Sequence, residues 1–206
     1  IPLERFQYVE RSLRLGQPVK LLYVGSLLPE KGALTVVQAI AFLKQEWEQF
    51  SVILDIVGDG PERDSLVDYC RRSGLSNLVN FLGKVEHDGV PSFYRNHDIF
   101  IFPSIWKEPF GLTFLEAMAS GTPVISTATG GNREFLVHGQ NCLVFEAGNA
   151  RELASRIKDL IEDASLYSTL SRNAAKEVRE RFSLDMYVDR IEEILKGLAL
   201  ERKGRT

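Results

Sequence analysis

Trp106-Lys107-Glu108-Pro109-Phe110-Gly111-Leu112-Thr113-Phe114-Leu115-Glu116-Ala117-Met118-Ala119-Ser120-Gly121 is the stretch on which the reading of this sequence turns. It follows the apolar run Asp98-Ile99-Phe100-Ile101-Phe102-Pro103, which reads as a strand, and opens into a helical pattern that stops at Gly121. Strand, loop and helix in that order set Glu108 and Glu116 around a loop at a strand's carboxyl end, where open α/β sheets hold their ligands. Gly111 lets the backbone turn tightly or approach a ligand, and the first N–H groups of the helix, around Leu112 and Thr113, offer a place for an anion. Glu116, one turn into the helix, can face the same crevice that Glu108 reaches from the other side. Carboxylates suit hydroxyl-rich ligands such as sugars, because each accepts more than one hydrogen bond. A glutamate in a first helical turn also simply complements the helix dipole, so Glu116 alone decides little.

Upstream, Val19-Lys20-Leu21-Leu22-Tyr23-Val24-Gly25 is too short and too apolar for an exposed helix and reads as a central parallel strand. The loop Gly25-Ser26-Leu27-Leu28-Pro29-Glu30-Lys31-Gly32 then precedes a helical pattern from Ala33 to Glu48. A lysine at a helix start opposes the dipole, and an anionic ligand explains Lys31 better than the helix does. Val52 to Val57 forms a second strand, followed by Gly58-Asp59-Gly60-Pro61, with Pro61 expected at the first position of a helix running to Ser73. Further strands are expected at Asn77–Gly83, Asp98–Phe102, Pro123–Thr127 and Asn141–Phe145. Helices are expected at Val90–Arg95, after Gly130-Gly131, at Ala150–Asp163, at Ser165–Arg181 and from Leu184 to about Gly197. Six strands alternating with helices predict an α/β fold with a doubly wound, parallel, six-stranded, Rossmann-like sheet. Phe93, Tyr94, Phe100 and Phe102 read as core, whereas Trp106 stays open.

Composition narrows the function classes. The 206 residues suffice for one domain with a proper core, and a hydrophobic content of 44% with 26% charged residues is that of a globular protein. A formal net charge of −3 speaks against nucleic acid, which selects a basic excess. No apolar run has the length of a membrane span, and Ile1–Phe6 lacks the pattern of a signal peptide. Cys70 and Cys142 have no metal or redox spacing, which fits a reducing, cytoplasmic setting. His87, His97 and His138 form no ligand pattern and read as loop or helix-end residues; no metal site is expected. Gly58-x-Gly60 hints at a dinucleotide fold, but Arg63 and Asp64 stand where the third glycine belongs, which disfavours an NAD-dependent enzyme.

Glu108-Pro-Phe-Gly-Leu, the second glutamate eight positions later in Glu116-Ala-Met-Ala-Ser-Gly-Thr-Pro-Val-Ile, and the Gly130-Gly131 pair resemble the donor-binding, C-terminal half of retaining glycosyltransferases of family 4 (group 1), which have the GT-B fold. The resemblance covers nearly the whole chain. It implies a nucleoside-diphosphate sugar as donor substrate, no further cofactor and no metal, provided that Lys31 and the helix start carry the diphosphate charge. It implies hexosyl-type transfer, with the acceptor bound by an N-terminal domain outside this sequence, and little activity of this piece alone. Peripheral membrane association of the complete enzyme is compatible with it. Residues 1–18 would be linker or arm, 19–182 the nucleotide-sugar-binding domain, 183–200 a helix crossing to the other domain and 201–206 a disordered tail.

By the same resemblance Glu108 would hold donor-sugar hydroxyls and Glu116 the ribose. Gly25, Ser26, Lys31, Gly58, Phe110, Gly111, Leu112 and Thr113 would line the donor crevice, and backbone groups at Lys84 and Val85 would hold the base. The loop resembles the family's Gly-Arg-Leu-x-x-x-Lys-Gly except that Ser26 replaces the arginine, a loss of about 1.5–3 kcal/mol for one charge-assisted contact. Ser26 keeps a second reading open, a non-catalytic nucleotide-sugar sensor or assembly module, which would need Lys31 and Glu116 but not Glu108.

Overall fold

The computed structural model describes residues 1–13, 16–49 and 51–203, with side chains described as far as Leu198. Six strands, β1 (Val19–Val24), β2 (Val52–Val57), β3 (Val79–Gly83), β4 (Ile99–Phe102), β5 (Val124–Thr127) and β6 (Leu143–Phe145), form one sheet in the order β3-β2-β1-β4-β5-β6. Every neighbouring pair is parallel. The helices are α1 (Ala33–Glu46), α2 (Arg63–Arg72), α3 (Val90–Asn96), α4 (Thr113–Ala119), α5 (Ala150–Glu162), α6 (Ala164–Arg181) and α7 (Leu184–Lys203).

Alternation along the central strands builds two cores, one on each face of the sheet. Leu21 and Tyr23 of β1 with Ile99 and Ile101 of β4 pack beneath residues of α1, α2 and α5. Leu22, Phe100 and Phe102 face the opposite way, against Tyr94 of α3, Phe114 and Leu115 of α4, and Val178 of α6. Burial on both faces is why these strands read as unbroken apolar runs rather than as alternating ones.

The winding decides where a ligand can sit. From β1 the chain steps outward to β2 and β3, then returns to β4 on the other side of β1 and continues outward to β5 and β6. Loops leaving β1 and β4 therefore diverge, and a crevice opens between their carboxyl ends. Those loops are Gly25–Gly32 and Pro103–Leu112, which carry Lys31 and Glu108.

Three local expectations need correction. Pro61 and Glu62 form a turn and α2 begins at Arg63, because the Glu62 N–H donates to the Leu27 carbonyl (3.1 Å) and holds this segment against the β1 loop. After Gly130 there is only one 3-10 turn, Gly131–Glu134. Asn132 closes it, accepting from the Gly130 N–H and donating to the Thr127 carbonyl, and the chain must then return at once to β6. At the other end α7 runs to Lys203, past Gly197, so residues 201–203 of the expected tail are helical and residues 204–206 lie outside the described residues.

The first residues are anchored rather than loose. Phe6 is fully buried, Arg5 bonds Asp88 and the His87 carbonyl, and the Arg11 guanidinium donates to the carbonyls of Tyr94, Arg95 and His97. His97 closes α3 at its carboxyl end, where its two ring nitrogens lie 2.7 Å from the Phe93 carbonyl and 2.9 Å from Asp55 Oδ2. By contrast α7 exposes Leu184, Met186, Tyr187, Val188, Ile191, Ile194, Leu195 and Leu198. Among the described residues no helix is long and apolar enough to cross a membrane.

Candidate functional site

The β1 loop ends in a 3-10 turn, Pro29–Lys31, and Gly32 follows at φ +73°. A Cβ at Gly32 would lie 2.2 Å from the Pro103 carbonyl oxygen, so only glycine lets the turn close against the end of β4. That closure carries Lys31 to the second loop. Its Nζ donates to Glu108 Oε1 at 2.5 Å, and Ser104 Oγ donates to the same oxygen at 2.9 Å. Thr127 in turn donates to the Ser104 carbonyl at 2.6 Å, tying the end of β5 to the loop. Glu108 is buried, whereas the Lys31 side chain keeps a third of its surface exposed. Among the described residues no donor reaches Glu108 Oε2, which leaves an acceptor for a ligand.

Around the pair lies a cavity of about 360 Å³, lined by Tyr23, Gly25, Ser26, Lys31, Ser104, Glu108, Gly111, Leu112 and Thr113 among others. The amino end of α4 opens onto it. No side chain caps this helix, and among the described residues no acceptor takes the N–H of Leu112 or Thr113. Two N–H groups without acceptors thus border the cavity beside the Lys31–Glu108 pair. Ser26 adds no charge there. Its carbonyl accepts from the Tyr23 hydroxyl at 2.8 Å, which fixes the loop.

Glu116 does not share this cavity. It lines a second one of about 1040 Å³ with His87, Phe110, Leu112, Leu115 and residues of the first segment and α7. Leu112 borders both spaces and is 62% exposed, so it forms the divide between them. Glu116 lies one helical turn beyond Leu112, whose carbonyl accepts its N–H at 3.0 Å, so the two spaces meet at Leu112. Tyr94, fully buried, donates its hydroxyl to Glu116 Oε2 at 3.0 Å. Burial pushes the Glu116 carboxyl above its ordinary value, against the lowering influence of Tyr94, His87 and Arg5.

The remaining expected residues divide. Gly25, Ser26, Lys31, Gly111, Leu112 and Thr113 meet at the first cavity, while Phe110 lines the second. Gly58, Lys84 and Val85 line neither. Gly58, at φ +143°, packs where a Cβ would stand 1.9 Å from the Gly25 carbonyl oxygen, so it serves the meeting of β1 and β2. Gly130 and Gly131 let the chain approach the glutamate loop closely: a Cβ on Gly130 would lie 1.9 Å from the Glu108 carbonyl oxygen and one on Gly131 1.9 Å from that of Pro109. The Gly131 N–H donates to the Glu108 carbonyl at 3.0 Å. Ser104 and Tyr94 are the participants that sequence reasoning passed over. Ser104 sits four residues before Glu108 directly after a proline, and a tyrosine in an apolar helix needs a hydroxyl partner, which are the signals that could have found them.

Known proteins resemble this chain in sequence and in fold. An uncharacterised glycosyltransferase of Methanocaldococcus jannaschii is 33% identical over 196 residues, 95% of this chain and 49% of that protein. The glycogen synthase of Mycobacterium tuberculosis is 30% identical over 185 residues, 90% of this chain and 43% of the synthase. The chain thus spans about half the length of these relatives. The crystal structure of Anabaena HepE in complex with UDP superposes with a TM-score of 0.84 at 27% identity, covering 96% of this chain and 56% of HepE. The six-stranded sheet with its flanking helices is that of a Rossmann-like half of a GT-B glycosyltransferase. With residues 5–177 matching the family described as glycosyl transferases group 1, the chain belongs to that family.

Proposed function

We propose that this chain is the donor-binding domain of a retaining, family 4 glycosyltransferase, which takes a sugar from a nucleoside diphosphate and passes it to an acceptor held by a domain preceding this sequence. The observation that carries the reading is the Lys31–Glu108 pair at 2.5 Å beside the uncapped start of α4, at the point where the sheet's winding reverses. The diphosphate would lie against Lys31 and the N–H groups of Leu112 and Thr113. When the bond between sugar and phosphate breaks, negative charge grows on the leaving diphosphate, and these groups stabilise it where it forms. Glu108 Oε2 would accept from hydroxyls of the donor sugar and fix the ring for attack on the face that the leaving group vacates. Across Leu112, Glu116 would hold the ribose, with the base beyond it towards His87.

UDP comes first among the bases to test, because HepE was crystallised with UDP and with UDP-glucose. The apolar flanks of α7 would pack against the acceptor domain. The reading as a sensor or assembly module has one observation in its favour: Glu108 is already engaged by Lys31 and Ser104, as a purely structural carboxylate would be. Joining the chain to its preceding domain and assaying transfer from UDP-, GDP- and ADP-sugars separates the two. Consumption of a donor that stops with Glu108→Gln supports the transferase, and nucleotide binding without turnover of any donor supports the sensor.

A further inference from the structure

We infer that Tyr94 is a positioning residue of this donor site, pinning one oxygen of Glu116 so that the other is presented to the ribose hydroxyls of a nucleoside diphosphate. The inference rests on the donor reading above. Tyr94 is fully buried on α3, and its hydroxyl donates to Glu116 Oε2 at 3.0 Å. Among the described residues no other donor reaches this carboxylate, and Glu116 as a residue is only 6% exposed. A hydrogen bond to one oxygen restricts how the carboxylate turns, and the other oxygen keeps lone pairs for both members of a vicinal diol. The tyrosine is firmly seated. Its carbonyl accepts from Thr122 Oγ1 at 2.7 Å and from Arg11 Nη2 at 2.8 Å, and its ring meets Phe6 and Phe100. None of these contacts needs the hydroxyl, so the hydroxyl is left to act on Glu116 alone.

The charge environment gives the inference a second readout. Burial pushes the Glu116 carboxyl up, and the Tyr94 hydrogen bond holds it down, followed by His87 on the turn before α3, Arg5 and the amino end of the first segment. Arg181 at the end of α6 and Asp189, Arg190 and Glu193 on α7 line the same cavity. Tyr94 itself is held well above the ordinary tyrosine value, by burial first and then by Glu116, so it stays a donor at every working pH. Removing the hydroxyl takes away an influence that favours the ionised carboxylate. The pH below which Glu116 becomes protonated then rises.

The test is calorimetric titration of the chain, of Tyr94→Phe and of Glu116→Gln with UDP, GDP and ADP, followed by the 2′,3′-dideoxy form of whichever binds, between pH 5 and 8. Circular dichroism melting confirms that each variant is folded. Tyr94→Phe is expected to weaken the ribonucleotide by about tenfold, the scale of one hydrogen bond to a charged group, and to leave the dideoxynucleotide unchanged. Its loss of affinity on acidification should begin at a higher pH than in the unaltered chain, and Glu116→Gln should retain only the acid loss that protonation of the nucleotide's own terminal phosphate causes. Equal weakening of both nucleotides by Tyr94→Phe, or an unmoved acid limb, overturns the role given to Tyr94 while the donor reading stands. Failure of the unaltered chain to bind any of the three nucleotides overturns both.

Discussion

Lys31 Nζ and Glu108 Oε1 stand 2.5 Å apart although 77 residues separate them, and they bridge the two loops that diverge from the middle of the sheet. Neither loop dictates this alone. Gly32 bends the first against Pro103, Gly130 and Gly131 let the β5 loop lie flat on the second, and Ser104 holds the carboxylate that receives the lysine. The pair also sets up a competition: an arriving diphosphate must share a lysine that a carboxylate already engages.

Glu108→Gln should therefore act in opposite directions on binding and on transfer. The amide still accepts from Ser104 but no longer neutralises Lys31, so nucleoside diphosphate binds as tightly as before or more tightly. Transfer by the complete protein falls by two orders of magnitude or so, as expected when a positioning contact is lost. Calorimetry on this chain and a donor-consumption assay on the complete protein check the two halves.

Gly130→Ala should destabilise the fold by about 1–3 kcal/mol, because the added methyl would stand 1.9 Å from the Glu108 carbonyl oxygen and backbone must shift to admit it. Gly197→Ala is the contrasting case. It lies in α7 with nothing within 4 Å of the added Cβ and should gain about 0.5–1 kcal/mol of helix stability. Urea unfolding midpoints of the two variants should move in opposite directions.

Glu116 should tie stability to pH. Its carboxyl is raised above the ordinary 4.5 in the folded protein, so the folded state binds the proton more tightly than the unfolded chain. The stability this adds is fully present below that ordinary value and is lost as pH rises through the raised one. Glu116→Gln should in consequence be more stable than the unaltered chain at pH 7, with the difference shrinking as pH falls towards 4.5. Thermal melts across that range measure it.

Phe100→Ala should cost about 3–5 kcal/mol, since the ring is fully buried in the core beneath α3 and α4 and contacts Tyr94 edge-on. Because the same core seats Tyr94, nucleotide affinity should fall along with the melting temperature.

Much of the architecture was legible because the six strands are short apolar runs and the helices between them carry clear periodicity. The doubly wound sheet, the buried aromatics of β4 and the loop positions of Lys31 and Glu108 all follow from that pattern. What did not follow was set by contacts across loops. The segment after Gly130 reads as a helix start, yet Asn132 folds back on Thr127 and stops it after one turn. Glu116 reads as a first-turn glutamate, and nothing in the sequence pairs it with Tyr94, whose hydroxyl reaches it from α3. The close backbone approaches at Gly58, Gly130 and Gly131, where an added Cβ would meet Gly25, Glu108 and Pro109, also depend on partners remote in sequence. Small residues announce a close approach without saying to what.

Whether the crevice between the β1 and β4 loops grips a nucleoside diphosphate can be measured by titrating the purified chain and Lys31→Ala with UDP, GDP and ADP in a calorimeter. One nucleotide should bind the unaltered chain, and Lys31→Ala should weaken it by roughly 1.5–3 kcal/mol, the loss of one charge-assisted contact. Binding that Lys31→Ala leaves untouched, or no binding of any of the three by the folded chain, would contradict such a grip.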